Sequence, residues 1–84
     1  MSKKIKVYAL STCSHCQHCK EYLDKLGHPY DCVHVDLLTG EARAKAIAAV
    51  RELNPNVSFP TVLIGESTVV VGFDKDALDK ALTD

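Results

Sequence analysis

The sequence predicts a small α/β domain in which a four-stranded mixed sheet is flanked by three helices. One observation is the order of the apolar patterns along the chain, which reads strand, helix, strand, helix, strand, strand, helix. A second is the connections. The first strand–helix–strand unit implies parallel pairing with a right-handed crossover, whereas the last two strands are close enough in sequence to pair antiparallel. The chain has 84 residues, enough for one domain, which we expect to span residues 1–84.

The first half of the chain carries a strand, a helix and a second strand. β-forming residues with partial alternation predict a strand over about residues 4–10, and a helix follows over residues 14–26. Four apolar positions share one face of this helix: Cys16, Cys19, Leu23 and Leu26. Gly27 provides a stop for the helix, and the next strand is predicted over about residues 30–35.

The second half carries a helix, a hairpin and a last helix. The helix is predicted over about residues 39–53, with one apolar face made of Ala46, Ala49, Val50 and Leu53. Residues 61–64 and 68–71 are expected to form a hairpin around Gly65-Glu66-Ser67. Asp74 is a suitable N-cap for the last helix.

Composition and charge exclude several classes of partner. The formal net charge is −1 and no basic block is present, so neither nucleic acid nor an anionic membrane is an expected partner. The apolar run Val69–Val71 is far too short to span a bilayer. Lys6 interrupts the apolar residues that follow the basic start of the chain, which argues against a signal peptide. We therefore expect a cytoplasmic protein whose thiols are kept reduced.

The cysteines are the strongest chemical signal in the chain. Three of the four, Cys13, Cys16 and Cys19, lie within seven residues, a clustering that indicates redox chemistry or metal binding. Cys13 and Cys16 form a C-x-x-C pair where the first strand meets the first helix, so their sulfurs can close a small ring. Free N–H groups and the positive helix end stabilise a thiolate at the first cysteine. We expect Cys13 to be the nucleophile and Cys16 the resolving thiol.

Three segments together resemble the glutaredoxins of the thioredoxin fold. They are Cys13-Ser14-His15-Cys16, Ser58-Phe59-Pro60-Thr61 and Gly72-Phe73-Asp74-Lys75-Asp76. The third is similar to the corresponding turn in the glutaredoxin-like hydrogen donors of ribonucleotide reductase. The resemblance implies a thioredoxin-like fold and a thiol–disulfide oxidoreductase that reduces or exchanges protein or glutathione mixed disulfides.

The resemblance also implies roles for residues outside the cysteine pair. Pro60 is expected to be cis, and the backbone of Phe59 to align the incoming disulfide beside Cys13 as an added strand would. The turn before the last helix would bind the γ-glutamyl carboxylate of glutathione. The expected substrate-binding set is Thr12, Phe59, Pro60, Gly72, Phe73 and Asp74.

Two positions depart from the usual glutaredoxin pattern. Leu10 stands where most relatives carry a lysine that contacts a glutathione carboxylate, and this difference weakens the expectation of glutathione binding. The expected electron donor is therefore either glutathione or a thioredoxin reductase. Ser14-His15 replaces the usual Pro-Tyr, and His15 is expected to stabilise the Cys13 thiolate and raise the reduction potential. We expect a monomer with no bound cofactor, in which glutathione would act as a co-substrate.

Other interpretations of the cysteines remain open from the sequence alone. Cys13, Cys16 and Cys19 could together bind a metal ion or an iron–sulfur cluster, with His15 and His18 interleaved. Alternatively, the chain could keep only the fold and act as a redox-silent interaction module. Cys19 and Cys32 are expected to be core residues, although Cys19 could also be a regulatory thiol.

Overall fold

The computed structural model describes residues 4–65 and 68–83. Its elements are β1 (Ile5–Ala9), α1 (Ser14–Leu26), β2 (Asp31–His34), a short 3₁₀ turn (Val35–Leu37), α2 (Gly40–Leu53), β3 (Thr61–Ile64), β4 (Thr68–Val71) and α3 (Lys75–Thr83). The predicted order and type of these helices and strands are confirmed, whereas the 3₁₀ turn was not predicted. Glu66 and Ser67, in the predicted hairpin turn, lie outside the described residues.

The four strands form one mixed sheet in the order β2-β1-β3-β4. β1 pairs parallel with β2, and β3 pairs antiparallel with both β1 and β4. This is the predicted thioredoxin-like arrangement, and it places the C-terminal end of β1 at the centre of the sheet. None of the helices in the described parts of the chain is long and apolar enough to cross a membrane.

Apolar side chains cover both faces of the sheet. On one face, Val7 of β1 packs in a cluster with Leu23 of α1 and Leu78 of α3. On the other face, Tyr8 packs in a second cluster with Val50 of α2. Alternation along β1 therefore separates the helices into two layers, with α1 and α3 on one side and α2 on the other.

Two local expectations are corrected. Leu26, expected on the buried face of α1, is 43% exposed. It is the last residue of the helix, and the chain reverses at Gly27 (φ 77°), so no further turn covers it. The second strand ends at His34 because Val35 enters the 3₁₀ turn, where it is buried in the cluster of Tyr8 and Val50.

Candidate active site

Cys13 lies between β1 and α1 and is the N-cap of that helix. Its backbone is extended (φ −88°, ψ 119°), and its Sγ accepts a hydrogen bond from the backbone N–H of Cys16 at 3.4 Å. The backbone N–H of Cys13 donates to the carbonyl oxygen of Leu10 at 3.2 Å, which fixes the loop that enters the helix. The sulfur thus replaces the oxygen that Ser or Asp would supply at a helix start.

Cys16 occupies the inner face of the first turn and has no exposed surface. Its Sγ accepts a hydrogen bond from the backbone N–H of Leu10 at 3.5 Å, and the residue belongs to the core cluster that also contains Leu23. Cys13, in contrast, is half-buried at the edge of that cluster. One thiol of the pair is therefore accessible from outside, while the other lies beneath it.

The two thiols differ in acidity. Partial burial raises the pKa of Cys13, but hydrogen bonds from the thiol and backbone N–H of Cys16 and from the backbone N–H of His15 lower that pKa by more, so the net shift is downward. Burial raises the pKa of Cys16 to about 12, with the adjacent Cys13 and Cys19 adding to the effect. The pair therefore combines a thiolate-forming outer sulfur with a protonated inner one.

Thr12 and His15 flank Cys13 and are both exposed. His15 lowers the pKa of Cys13 through its backbone N–H. A contribution from the His15 imidazole, expected from the sequence, stays a prediction.

The loop before β3 packs against the same core cluster as the cysteine pair. The Phe59–Pro60 peptide bond is cis, as expected. Phe59 is half-buried and contacts both core clusters, and Cys13 packs at the edge of one of them. The carbonyl oxygen of Pro60 accepts a hydrogen bond from the backbone N–H of Gly72 at 2.7 Å, which ties this loop to the turn before α3.

The turn before α3 is arranged around Gly72, whose φ of 77° favours glycine. Asp74 caps α3: its Oδ1 accepts a hydrogen bond from the backbone N–H of Ala77 at 3.1 Å. Phe73 is half-buried, and its ring lies 5.9 Å from that of Tyr22 on α1, measured between centroids. The N–H of Gly72 is engaged by Pro60, so an anion bound at this turn would depend on the N–H groups that follow.

The other two cysteines lie away from the accessible edge of the site. Cys19 is fully buried, as expected of a core residue, and burial raises its pKa to about 11. Cys32 is half-buried in β2, and its Sγ lies 3.7 Å from Nε2 of His34.

All four cysteines are free thiols. Within residues 4–65 and 68–83, no group of three or more Cys, His, Asp or Glu side chains could hold a metal ion.

Comparison with known proteins resolves the class of this site. A family profile described as glutaredoxin matches residues 5–69, which contain the cysteine pair and the cis-proline loop. The chain belongs to the glutaredoxin family.

Solved structures agree with this assignment. The chain is 41% identical to the methanoredoxin of Methanosarcina acetivorans, with a TM-score of 0.91 over 96% of this chain and 85% of the other. It is 36% identical to a glutaredoxin from Methanosarcina mazei Go1, with a TM-score of 0.90 over 100% and 84% of the two chains. A glutaredoxin from Archaeoglobus fulgidus is 31% identical, with a TM-score of 0.90 over 100% and 89%. No curated protein matches the chain.

Membership of the family and the fold support thiol–disulfide oxidoreductase activity for this glutaredoxin. A contact that the sequence did not predict helps to hold its site: both Ser11 N–H and Ser11 Oγ donate to the carboxylate of Asp36. These hydrogen bonds anchor the loop before Cys13 to the 3₁₀ turn and lower the pKa of Asp36. The two residues are 25 positions apart in the chain, and no local pattern marks them as partners.

Proposed function

We propose that this glutaredoxin reduces or exchanges protein or glutathione mixed disulfides, with Cys13 as nucleophile and Cys16 as resolving thiol. The observation that carries the proposal is the asymmetry of the pair. Cys13 caps a helix with its sulfur and has a lowered pKa, whereas Cys16 is fully buried with a pKa of about 12. Thiolate is the attacking species in disulfide exchange, so the reaction begins at Cys13.

The steps follow from this asymmetry. The Cys13 thiolate attacks one sulfur of the substrate disulfide; the S–S bond breaks and the other sulfur leaves as a thiolate, which takes up a proton. Cys16 then loses its proton and attacks Cys13 Sγ, so a Cys13–Cys16 disulfide forms and the second substrate thiol leaves. The substrate gains two electrons and the protein loses two. A thiol such as glutathione, or a thioredoxin reductase, must then reduce the new disulfide.

Substrate contacts are proposed from the elements that surround Cys13. The backbone of Phe59, the residue before Pro60, would pair with an extended disulfide-bearing segment, while Thr12 lies exposed one residue before the nucleophile. The start of α3, where Phe73 and Asp74 lie, would receive a carboxylate of glutathione. This site is expected to be weaker than in most glutaredoxins because Leu10 supplies no charge.

Single cysteine variants test the proposal. With a disulfide-bonded peptide as substrate, Cys13→Ser should abolish exchange, and Cys16→Ser should accumulate a mixed disulfide on Cys13 detectable by mass spectrometry. Cys32→Ser is the matched control, because Cys32 is half-buried in β2 and has no part in the steps above. Retention of activity in Cys13→Ser, or loss of it in Cys32→Ser, would contradict the assignment.

The electron donor is tested in the same assay. Turnover by the wild-type protein is measured with glutathione plus glutathione reductase, and separately with a thioredoxin reductase, both with NADPH as the source of electrons. Turnover in either system supports a complete catalytic cycle. Failure of both, with exchange intact, would show that a different reductant is needed for the Cys13–Cys16 disulfide.

A further inference from the structure

Asn54 is a buried polar residue at the end of α2, only 4% exposed, and the proposed steps do not use it. Its backbone N–H donates to the carbonyl oxygen of Val50 at 2.7 Å, and its own carbonyl oxygen accepts from the N–H of Val57 at 2.8 Å. Its side-chain Oδ1 accepts from the N–H of Asn56 at 3.2 Å. One residue therefore both ends the helix and shapes the turn that follows.

The side-chain amide of Asn54 reaches across the loop to β3. Nδ2 lies 2.8 Å from Oγ of Ser58, 3.4 Å from the Ser58 carbonyl oxygen and 3.3 Å from Oγ1 of Thr61. The hydroxyl of Thr61, a fully buried residue, donates in turn to the Ser58 carbonyl oxygen at 2.7 Å. These bonds connect the last residue before the loop with the first residue after it, and Phe59 and Pro60 lie inside the span.

The loop so enclosed contains a strained residue. Val57 has a φ of 49°, in the left-handed region that β-branched side chains rarely adopt. Its side chain packs against the core cluster of Tyr8, Val35 and Val50. Such a conformation persists only where the surrounding contacts enforce it, and it is concentrated at functional sites. The bond from the Val57 N–H to Asn54 and this packing are the contacts that enforce it.

We propose that Asn54 is a positioning residue that holds residues 55–60 in one conformation, so that the backbone edge of Phe59 is already set to receive an extended disulfide-bearing peptide. The inference rests on the proposed function, in which Phe59 pairs with substrate. Six residues without regular structure would otherwise sample many conformations, and ordering them on binding would weaken affinity for the peptide. Asn54 removes that cost before the substrate arrives.

The position of Asn54 separates binding from chemistry. The clamp contacts the loop before β3, whereas the groups that lower the Cys13 pKa all belong to His15 and Cys16 at the start of α1. Loss of the clamp should therefore weaken binding of substrates that pair with the loop and leave the Cys13 thiolate unchanged. A small disulfide that reaches Cys13 without strand pairing should be unaffected.

The test compares Asn54→Ala with Asn56→Ala on two substrates, a disulfide-bonded peptide and bis(2-hydroxyethyl) disulfide. Asn56 is the matched control because it lies in the same loop and is exposed, and only its backbone N–H, which alanine keeps, bonds to Asn54. Asn54→Ala should raise KM for the peptide by about fivefold, the effect of one lost hydrogen bond of ordinary strength, with little change in kcat. Turnover of the small disulfide, the alkylation rate of Cys13 and all constants of Asn56→Ala should match the wild type.

Ser58→Ala provides a second variant for the case that Asn54→Ala does not fold at the assay temperature. Ser58 is exposed, so its hydroxyl can be removed without opening the core, and one of the Nδ2 acceptors is then lost. A smaller rise in the peptide KM is expected, again without change in the alkylation rate of Cys13.

Three outcomes overturn the inference. The first is an unchanged peptide KM in folded Asn54→Ala, and the second is an unchanged peptide KM in Ser58→Ala where Asn54→Ala does not fold. The third is an equal loss of activity on both substrates together with slower alkylation of Cys13. The last result would mean that Asn54 only stabilises the fold. Failure of the proposed function gives a different result, since wild-type protein would then be no more active than Cys13→Ser on either disulfide.

Discussion

Cys16→Ala and Cys16→Ser differ in one respect that affects Cys13. Serine keeps a hydroxyl that can donate a hydrogen bond to the Cys13 sulfur, whereas alanine keeps no side-chain donor. The backbone N–H of residue 16, which bonds to Cys13 Sγ at 3.4 Å, is present in both variants. The Cys16 thiol is the first among the groups that lower the pKa of Cys13, so we predict a higher Cys13 pKa in the alanine variant than in the serine variant.

The expected size of the effect follows from the exposure of the acceptor. A hydrogen bond to a charged group contributes about 1.5–3 kcal/mol, and the half-buried position of Cys13 favours the lower end. About 1.5 kcal/mol corresponds to roughly a tenfold change in the thiolate population at a pH below the Cys13 pKa. Alkylation of Cys13 should therefore be about tenfold slower in Cys16→Ala than in Cys16→Ser under those conditions.

The assay is the rate of iodoacetamide modification as a function of pH, with the modified residue identified by mass spectrometry. In the wild type, burial raises the pKa of Cys16 to about 12 and the residue has no exposed surface, so at pH 7 labelling should occur at Cys13. Identical pH profiles for the two variants would refute the role of the Cys16 side chain. Alkylation of Cys16 before Cys13 in the wild type would refute the assignment of the nucleophile.

Three further predictions concern other positions. Cys19→Ala should keep disulfide reductase activity because the Cys19 side chain is fully buried, out of reach of substrate. Its free energy of unfolding, measured by urea denaturation, should fall by about 1 kcal/mol. A loss of activity as deep as that of Cys16→Ala would contradict the prediction. Leu10→Lys should increase glutathione-dependent turnover, and no gain would show that another group already binds the glutathione carboxylate. Asp36→Asn should lower the melting temperature near neutral pH and flatten the loss of stability in acid. The pKa of Asp36 is lowered in the folded protein, so its stabilising effect is complete above about pH 4 and disappears as the pH falls through the folded pKa. Parallel acid melting profiles of wild type and variant would count against this linkage.

The helices and strands could be predicted from the sequence because their signals are local. The α1 bounds follow from apolar spacing and from Gly27, and β3 and β4 begin and end where runs of β-forming residues begin and end. The 3₁₀ turn could not be foreseen, because Val35 reads as the end of a strand until α2 is known to cover it. The spacing of Leu26 predicts a core position, but spacing does not show whether another element covers the last residue of a helix.

The candidate site was predictable in part. Cys13 and Cys16 were found because their spacing and their place at a helix start carry chemical meaning without any tertiary information. The role of the His15 backbone, as distinct from its imidazole, requires the conformation of the first helical turn. The Asn54 clamp combines a helix end, a loop and a strand, and nothing in the sequence around Asn54 distinguishes it from an ordinary residue that ends a helix before a proline.

The burial of Cys16 among core residues connects the folding of this protein to its redox state. Folding and oxidation form a thermodynamic cycle, so the difference in reduction potential between the folded and unfolded chain equals the difference in unfolding free energy between the oxidised and reduced forms. Each 1.4 kcal/mol in that difference corresponds to about 30 mV for this two-electron couple. A fold that favours the Cys13 thiolate stabilises the reduced form, and denaturation curves of the two forms therefore report how far folding shifts the reduction potential, without any redox buffer.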